Sequence, residues 1–241
     1  MTSDCDPFTH HPELRDRIID PLKSDLRDLD LAFLDERMIA AGAPADWRHS
    51  DSYREESRRE SLRGRQDGDL WVFAYGSLIW DPAFRFSEVR TALLRGYERR
   101  FCIKTELGRG TPEKPGLMAG LDIGSACSGI VFRIDRYLID AETRLIWKRE
   151  MLLHAYSPVF VRVETQLGEV EALAFVVDPT AECYLPDLGV EETAHYMATG
   201  SGVLGSSLAY IESLAEHFET IGIEDRALFQ LRDLSRQMAV T

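Results

Sequence analysis

The sequence has only four cysteines in 241 residues, at positions 5, 102, 127 and 183, and no two of them form a Cys-x-x-Cys pair. This spacing argues against a zinc ribbon and a thioredoxin-like redox motif, and it leaves reduced thiols as the plain reading. No run of about 18 apolar residues occurs, and the opening Met1-Thr2-Ser3-Asp4-Cys5-Asp6 has neither a basic head nor an apolar stretch. The expectation is a cytoplasmic protein without a membrane span or a targeting leader. Positive charge is scarce, with 28 Lys and Arg against 41 Asp and Glu and a formal net charge of -13. Such a surplus repels a phosphate backbone, so neither nucleic acid nor an anionic membrane is expected as a partner. A Gly-x-Ser-x-Gly elbow is missing, which removes the usual signal for a serine hydrolase, and the glycine turn Tyr75-Gly76-Ser77-Leu78 is neither a P-loop nor a Gly-x-Gly-x-x-Gly fingerprint.

What is present is the composition of a globular protein, 44% hydrophobic and 29% charged, long enough for one dominant core. Composition changes near Trp71. Before it, Leu22, Leu26, Leu29, Phe33 and Leu34 recur at helical spacing and predict one helix that Gly42 and Pro44 stop. The densely charged Tyr53 to Arg65 reads as a solvated helix or linker. Residues 1–69 are therefore taken as a helical N-terminal extension and 70–241 as the main domain. From Leu70 the expected strands are 70–75, 97–103, 117–121, 127–134, 159–164 and 171–176, with a helix over 141–153 between the fourth and fifth. Three helices follow, 190–197, 206–221 and 223–238, the last two separated by Gly222. Without regular βαβ alternation, this order favours a compact α+β fold whose mixed strands close into a small barrel.

Three segments can carry chemistry. Tyr75-Gly76-Ser77-Leu78 follows a strand, where backbone amides can converge on a carboxylate or an oxyanion, or where the chain simply turns. The loop Gly108 to Gly116 is either an ordinary surface hairpin connection or a shaped wall in which Arg109 grips a carboxylate through its planar fork and Thr111 donates a hydroxyl proton. Glu150 closes Trp147-Lys148-Arg149-Glu150, and it is either a carboxylate with a raised pKa suited to proton transfer or an exposed partner of Lys148 or Arg149. Glu150 and His154 share a helical face, but no third ligand has convincing spacing, so no metal is expected. Cys102 reads as a buried thiol, and Gly200 to Ser207 as a lid or as a loop before a helix capped by Ser206 or Ser207.

Taken in order, these segments resemble the ChaC-like gamma-glutamylcyclotransferases, which act on glutathione. The matching stretches are 71–80 (WVFAYGSLIW), 96–101 (GYERRF), 109–117 (RGTPEKPGL), 129–133 (GIVFR), 149–150 (RE) and 156–158 (YSP). The resemblance covers about residues 70 to 235. It implies a mixed, barrel-like sheet with flanking helices, preceded here by the helical extension. It implies that Tyr75, Gly76, Ser77 and Leu78 hold the gamma-glutamyl end of the substrate and that Glu150 is the general base. Glu150 would free the substrate's own amine to close a five-membered ring, giving 5-oxoproline and Cys-Gly with no cofactor. Arg109 and Tyr196 are further candidates for substrate carboxylates or the glycyl end.

Two features depart from the family pattern. Ser206-Ser207-Leu208-Ala209-Tyr210 stands where the family has an asparagine before the aromatic, and the extension is longer than the family core. The extension could cover the site, mediate oligomerisation or shield an apolar face. Two other functions remain open at this point: a cyclotransferase for other gamma-glutamyl amino acids or amines, and a non-catalytic gamma-glutamyl binder.

Overall fold

The computed structural model describes residues 6–65 and 67–240; Cys5 and the rest of the opening pentapeptide lie outside the described residues. In chain order the elements are helices α1 (Leu31–Ala40) and α2 (Asp51–Ser61), strands β1 (Leu70–Ala74), β2 (Glu88–Thr105) and β3 (Gly116–Ile134), helix α3 (Ile139–Glu150), and strands β4 (Tyr156–Thr165) and β5 (Gly168–Val177). Then come α4 (Val190–Thr199), the short strands β6 (Ser201–Gly202) and β7 (Gly205–Ser206), α5 (Ser207–Ile221) and α6 (Arg226–Ala239). The five longer strands form a closed barrel in the order β1-β3-β2-β4-β5, so the α+β, barrel-like expectation is borne out.

The chain resolves into two compact units. The first comprises Met1–Leu29, Arg48–Glu98 and Leu121–Val176, and the second Asp30–Trp47, Arg99–Gly120 and Val177–Thr241. In the first, β1 pairs antiparallel with β3, Val72 opposite Phe132, and parallel with β5, Val72 opposite Leu173. Its apolar side chains make a dense core in which Phe84 meets Phe132 edge-on at 5.5 Å and Trp147 meets Phe175 at 5.2 Å.

Helix α2 corrects the picture of a solvated charged segment. Its Arg58 is buried, at 4% exposure, and its guanidinium is bound to Glu55, to Thr143 Oγ1 at 3.0 Å and to Asp140 at 2.9 Å, the last two on α3. Trp147 Nε1 donates to Ser57 Oγ at 3.1 Å across the same seam. One face of α2 is thus a polar lock on α3, and a charge count cannot tell such a face from a wet one. The Arg58 hydrogen bond is the main force holding the Glu55 carboxyl at about 2, down from 4.5; burial opposes it, and Arg59 and Arg144 assist. A carboxylate depressed in the folded state stabilises above its unfolded pKa and ceases to do so as it protonates. The urea midpoint is therefore expected to fall as pH drops from about 4.5 toward 2, and Glu55→Gln to flatten that slope; a parallel slope in the variant would remove Glu55 from the account.

The helix expected over Leu22 to Leu34 is not formed as one element. Asp20 caps a short 3-10 turn, Pro21–Lys23, and the α-helix starts only at Leu31, where the Asp30 carboxylate accepts from the amides of Ala32 and Phe33. Leu22 and Phe33 are exposed, at 68% and 58%. Two acidic caps have out-competed the apolar periodicity.

In the second unit α4, α5 and α6 pack on one another around Met197, Ile211, Leu214, Phe218 and Leu228. Gly222, at φ +70, ends α5 in the left-handed conformation that suits glycine. Arg99 lies over the Phe218 ring at 4.4 Å and is paired with Asp225, the cap of α6. Cys102 is a buried thiol, as expected.

Candidate active site

Strand β1 runs apolar from Leu70 to Ala74 and delivers the chain to Tyr75 at the end of the barrel core. Tyr75 is buried and its hydroxyl donates to the carbonyl of Phe175 at 2.8 Å. Gly76 and Ser77 follow, half-buried, and Ser77–Ile79 make a single 3-10 turn. Leu78 and Ile79 point inward and are buried, which anchors the turn from below.

Glu150 is the last residue of α3, a position where the helix dipole disfavours negative charge. Its side chain is 18% exposed. Burial pushes the Glu150 carboxyl above its ordinary 4.5, and the neighbouring Arg149 charge pulls it part of the way back. The two side chains are in contact, Arg149 Nε standing 3.1 Å from Glu150 Oε1. The same guanidinium donates through Nη2 to Ser77 Oγ at 2.7 Å and through Nη1 to the carbonyl of Asp81. One planar fork therefore joins the carboxylate of α3 to the turn after β1, Arg149 lying 72 residues from Ser77 in sequence. Because a guanidinium only donates, Ser77 Oγ is the acceptor in this bond and its own hydrogen remains for another oxygen.

Of the residues singled out in the sequence, the structure thus brings Ser77 and Glu150 together. The link, Arg149, was seen only as part of a motif and as a possible surface partner of Glu150. Its signal was the Arg-Glu dipeptide itself, but the direction of the guanidinium depends on a contact no local pattern encodes. His154 lies against His49, ring centroids 3.8 Å apart, and burial together with the charges of His154 and Arg54 takes His49 down to about 4. Among the described residues no group of three or more His, Cys, Asp or Glu is placed to hold a metal ion, and no helix is long and apolar enough to cross a membrane.

Arg109 and Tyr196 belong to the second unit. Arg109 lies over the Tyr210 ring at 4.7 Å and donates to the carbonyl of Ser206 at 3.1 Å. Burial lowers its pKa, opposed by Tyr210. Tyr196 is half-buried on α4. The two serines in place of the family asparagine have separate tasks. Ser206 caps α5 by accepting from the amide of Ala209 at 3.0 Å. Ser207, fully buried, donates to the carbonyl of Arg109 at 3.1 Å and accepts from the amide of Leu117 at 3.0 Å. Around them Gly110, Gly116, Gly200 and Gly202 pack so closely that a Cβ at any of the four would collide with backbone atoms. Gly200 to Ser207 is in fact a two-stranded turn leading into α5, β6 pairing with β7.

Comparison with known proteins agrees with these features. The family model described as ChaC-like protein matches residues 70–238. The chain is 35% identical over 184 residues to the glutathione-specific gamma-glutamylcyclotransferase of Escherichia coli K12, covering 76% of this chain and 80% of that one. It is 30% identical over 166 residues to human glutathione-specific gamma-glutamylcyclotransferase 1, covering 66% and 75%. In fold it is similar to the crystal structure of a yeast gamma-glutamylcyclotransferase specific to glutathione, with a TM-score of 0.65 at 19% identity over 71% of this chain and 97% of that one. By the extent of the family match and the identity to its bacterial relative, this chain belongs to the ChaC-like family.

Proposed function

We propose that this protein cleaves glutathione to 5-oxoproline and Cys-Gly, with Glu150 as general base. The observation that carries the reading is the carboxylate of Glu150, largely shielded from water, raised in pKa and tied through Arg149 to Ser77. Substrate assignment draws on the relatives, whose names specify glutathione.

The chemistry follows from those positions. The alpha-ammonium of a gamma-glutamyl group has no lone pair to attack with, and a carboxylate with a raised pKa is a matched acceptor for its proton. The freed amine attacks the gamma-carbonyl carbon of its own residue. As the new C–N bond closes the five-membered ring, the bond to the cysteinyl nitrogen breaks; Glu150 returns its proton to that leaving nitrogen, and the second proton shed by the ring nitrogen passes the same way, so that Cys-Gly departs as its ammonium. Atoms balance without water or cofactor, because the nucleophile is part of the substrate; the protein's contribution is alignment. Ser77, with its hydroxyl oxygen taken by Arg149, has a hydrogen to offer the oxygen on which negative charge builds.

The test is incubation of purified protein with glutathione and, separately, with gamma-glutamyl-alanine, following 5-oxoproline and Cys-Gly. Products from glutathione alone are expected. Release of 5-oxoproline only from gamma-glutamyl-alanine would move the activity to other gamma-glutamyl compounds, and no release from either would leave a binding protein.

A further inference from the structure

We propose that the segment Ile19–Arg27 of the N-terminal extension is a positioning strap for the candidate site, with Ser24 and Arg27 as its positioning residues. The inference concerns residues that precede the family match, which starts at Leu70, and it deepens the glutathione reading on which it rests.

Three contacts fall on Trp80, Asp81 and Ala83, the stretch that directly follows the turn carrying Ser77. The amide of Ile19 donates to the carbonyl of Trp80 at 2.8 Å. Ser24 Oγ donates to Asp81 Oδ1 at 2.7 Å, with both residues buried. Arg27 Nη1 donates to the carbonyl of Ala83 at 2.9 Å. Ala83, at φ +59, is the one non-glycine residue with a positive φ among the described residues, a conformation that persists only where surrounding contacts fix it.

Arg27 also reaches the catalytic helix. Its guanidinium meets both oxygens of Glu142 on α3, at 2.9 and 3.1 Å, and Glu142 is fully buried. Burial raises the Glu142 carboxyl, but the hydrogen bonds from Arg27 and from the backbone and side chain of Arg85 outweigh it and hold it below its ordinary range. Glu142 lies about two turns ahead of Glu150 on one rigid helix. The strap therefore holds the turn and the helix at once.

Asp81 is where the two systems meet. Ser24 holds its side chain, while its carbonyl accepts from Arg149, whose remaining donors face Ser77 and Glu150. Loosening Asp81 lets the Ser77 hydroxyl and the Glu150 carboxylate drift relative to each other, which costs alignment and not ground-state binding.

The experiment uses the full chain with Ser24→Ala and, separately, Arg27→Lys, which keeps a cation beside Glu142 but loses the fork. In Ser24→Ala, amide hydrogen exchange over residues 77–83 is expected to quicken about tenfold while β1 and β3 keep parental protection. kcat for glutathione is expected to fall about tenfold with KM within about twofold. Arg27→Lys should give the same pattern. Exchange that rises evenly over the barrel, or kcat unchanged despite a loosened turn, or kcat lost with the turn unchanged, would each overturn the proposal. A parent protein that turns over no gamma-glutamyl substrate would remove the proposed function, and the exchange pattern alone would then decide whether the strap holds the turn.

Discussion

Glu150→Gln is expected to lower kcat/KM for glutathione by about three orders of magnitude, the upper part of what general acid–base catalysis supplies. The substitution preserves shape and removes only the ability to take a proton. Because the carboxylate is largely shielded from water at a helix C-terminus and raised in pKa, neutralising it also removes an unfavourable charge, so thermal unfolding is expected within about 5 °C of the parent. Retained affinity for glutathione, read by calorimetry, would separate lost chemistry from lost binding. If the variant turned over at a tenth of the parental rate or better, Glu150 would not be the base, and proton transfer would have to be assigned elsewhere.

Arg149→Met should be the second most damaging change, with a loss of about two orders of magnitude in kcat/KM. The guanidinium holds the Ser77 hydroxyl, the Asp81 carbonyl and the Glu150 carboxylate together, and methionine fills the space without any of these bonds. The change also has a signature in pH. Burial raises the Glu150 pKa and Arg149 lowers it, so removing the cation moves that pKa further up. With Glu150 as the proposed base, the acid limb of the kcat profile is expected to shift to higher pH in Arg149→Met. Arg149→Lys retains charge and loses the fork, so it should keep the parental limb and still lose rate. An unmoved limb in Arg149→Met would mean that the two side chains do not share charge during turnover.

Most strands were legible because runs such as Leu70 to Ala74 and Ile130 to Ile134 are apolar and bounded. Two were read in pieces. β3 appeared broken because Gly120, Gly124 and Gly129 interrupt its pattern, yet these glycines sit where neighbours leave no room for a Cβ: Gly129 against Ala74 and Phe73, Gly124 against Glu98. The start of β2 is masked by alternating charge, which ion pairs satisfy, Arg90 with Glu88 and Arg95 with Glu164. Glu150 was found by its place in a family motif, not by its own spacing, which fits a surface glutamate as well. Its fixing through Arg149 to Ser77, and the bond from Ser24 to Asp81, join residues that only the folded chain makes neighbours. Local pattern records which residue types are present; the aim of a long polar side chain is set by tertiary placement.

The glycine seam of the second unit bears on how this protein can change over evolutionary time. Where Gly110, Gly116, Gly200 and Gly202 meet, the backbones of the loop and of the turn before α5 are separated by nothing larger than hydrogen. A longer loop or a shifted register there would have to prise two chains apart. Change in this region is thereby channelled into side chains mounted on the seam, Arg109, Thr111 and Leu204 among them, so that single replacements are tolerated while the loop itself stays frozen in length.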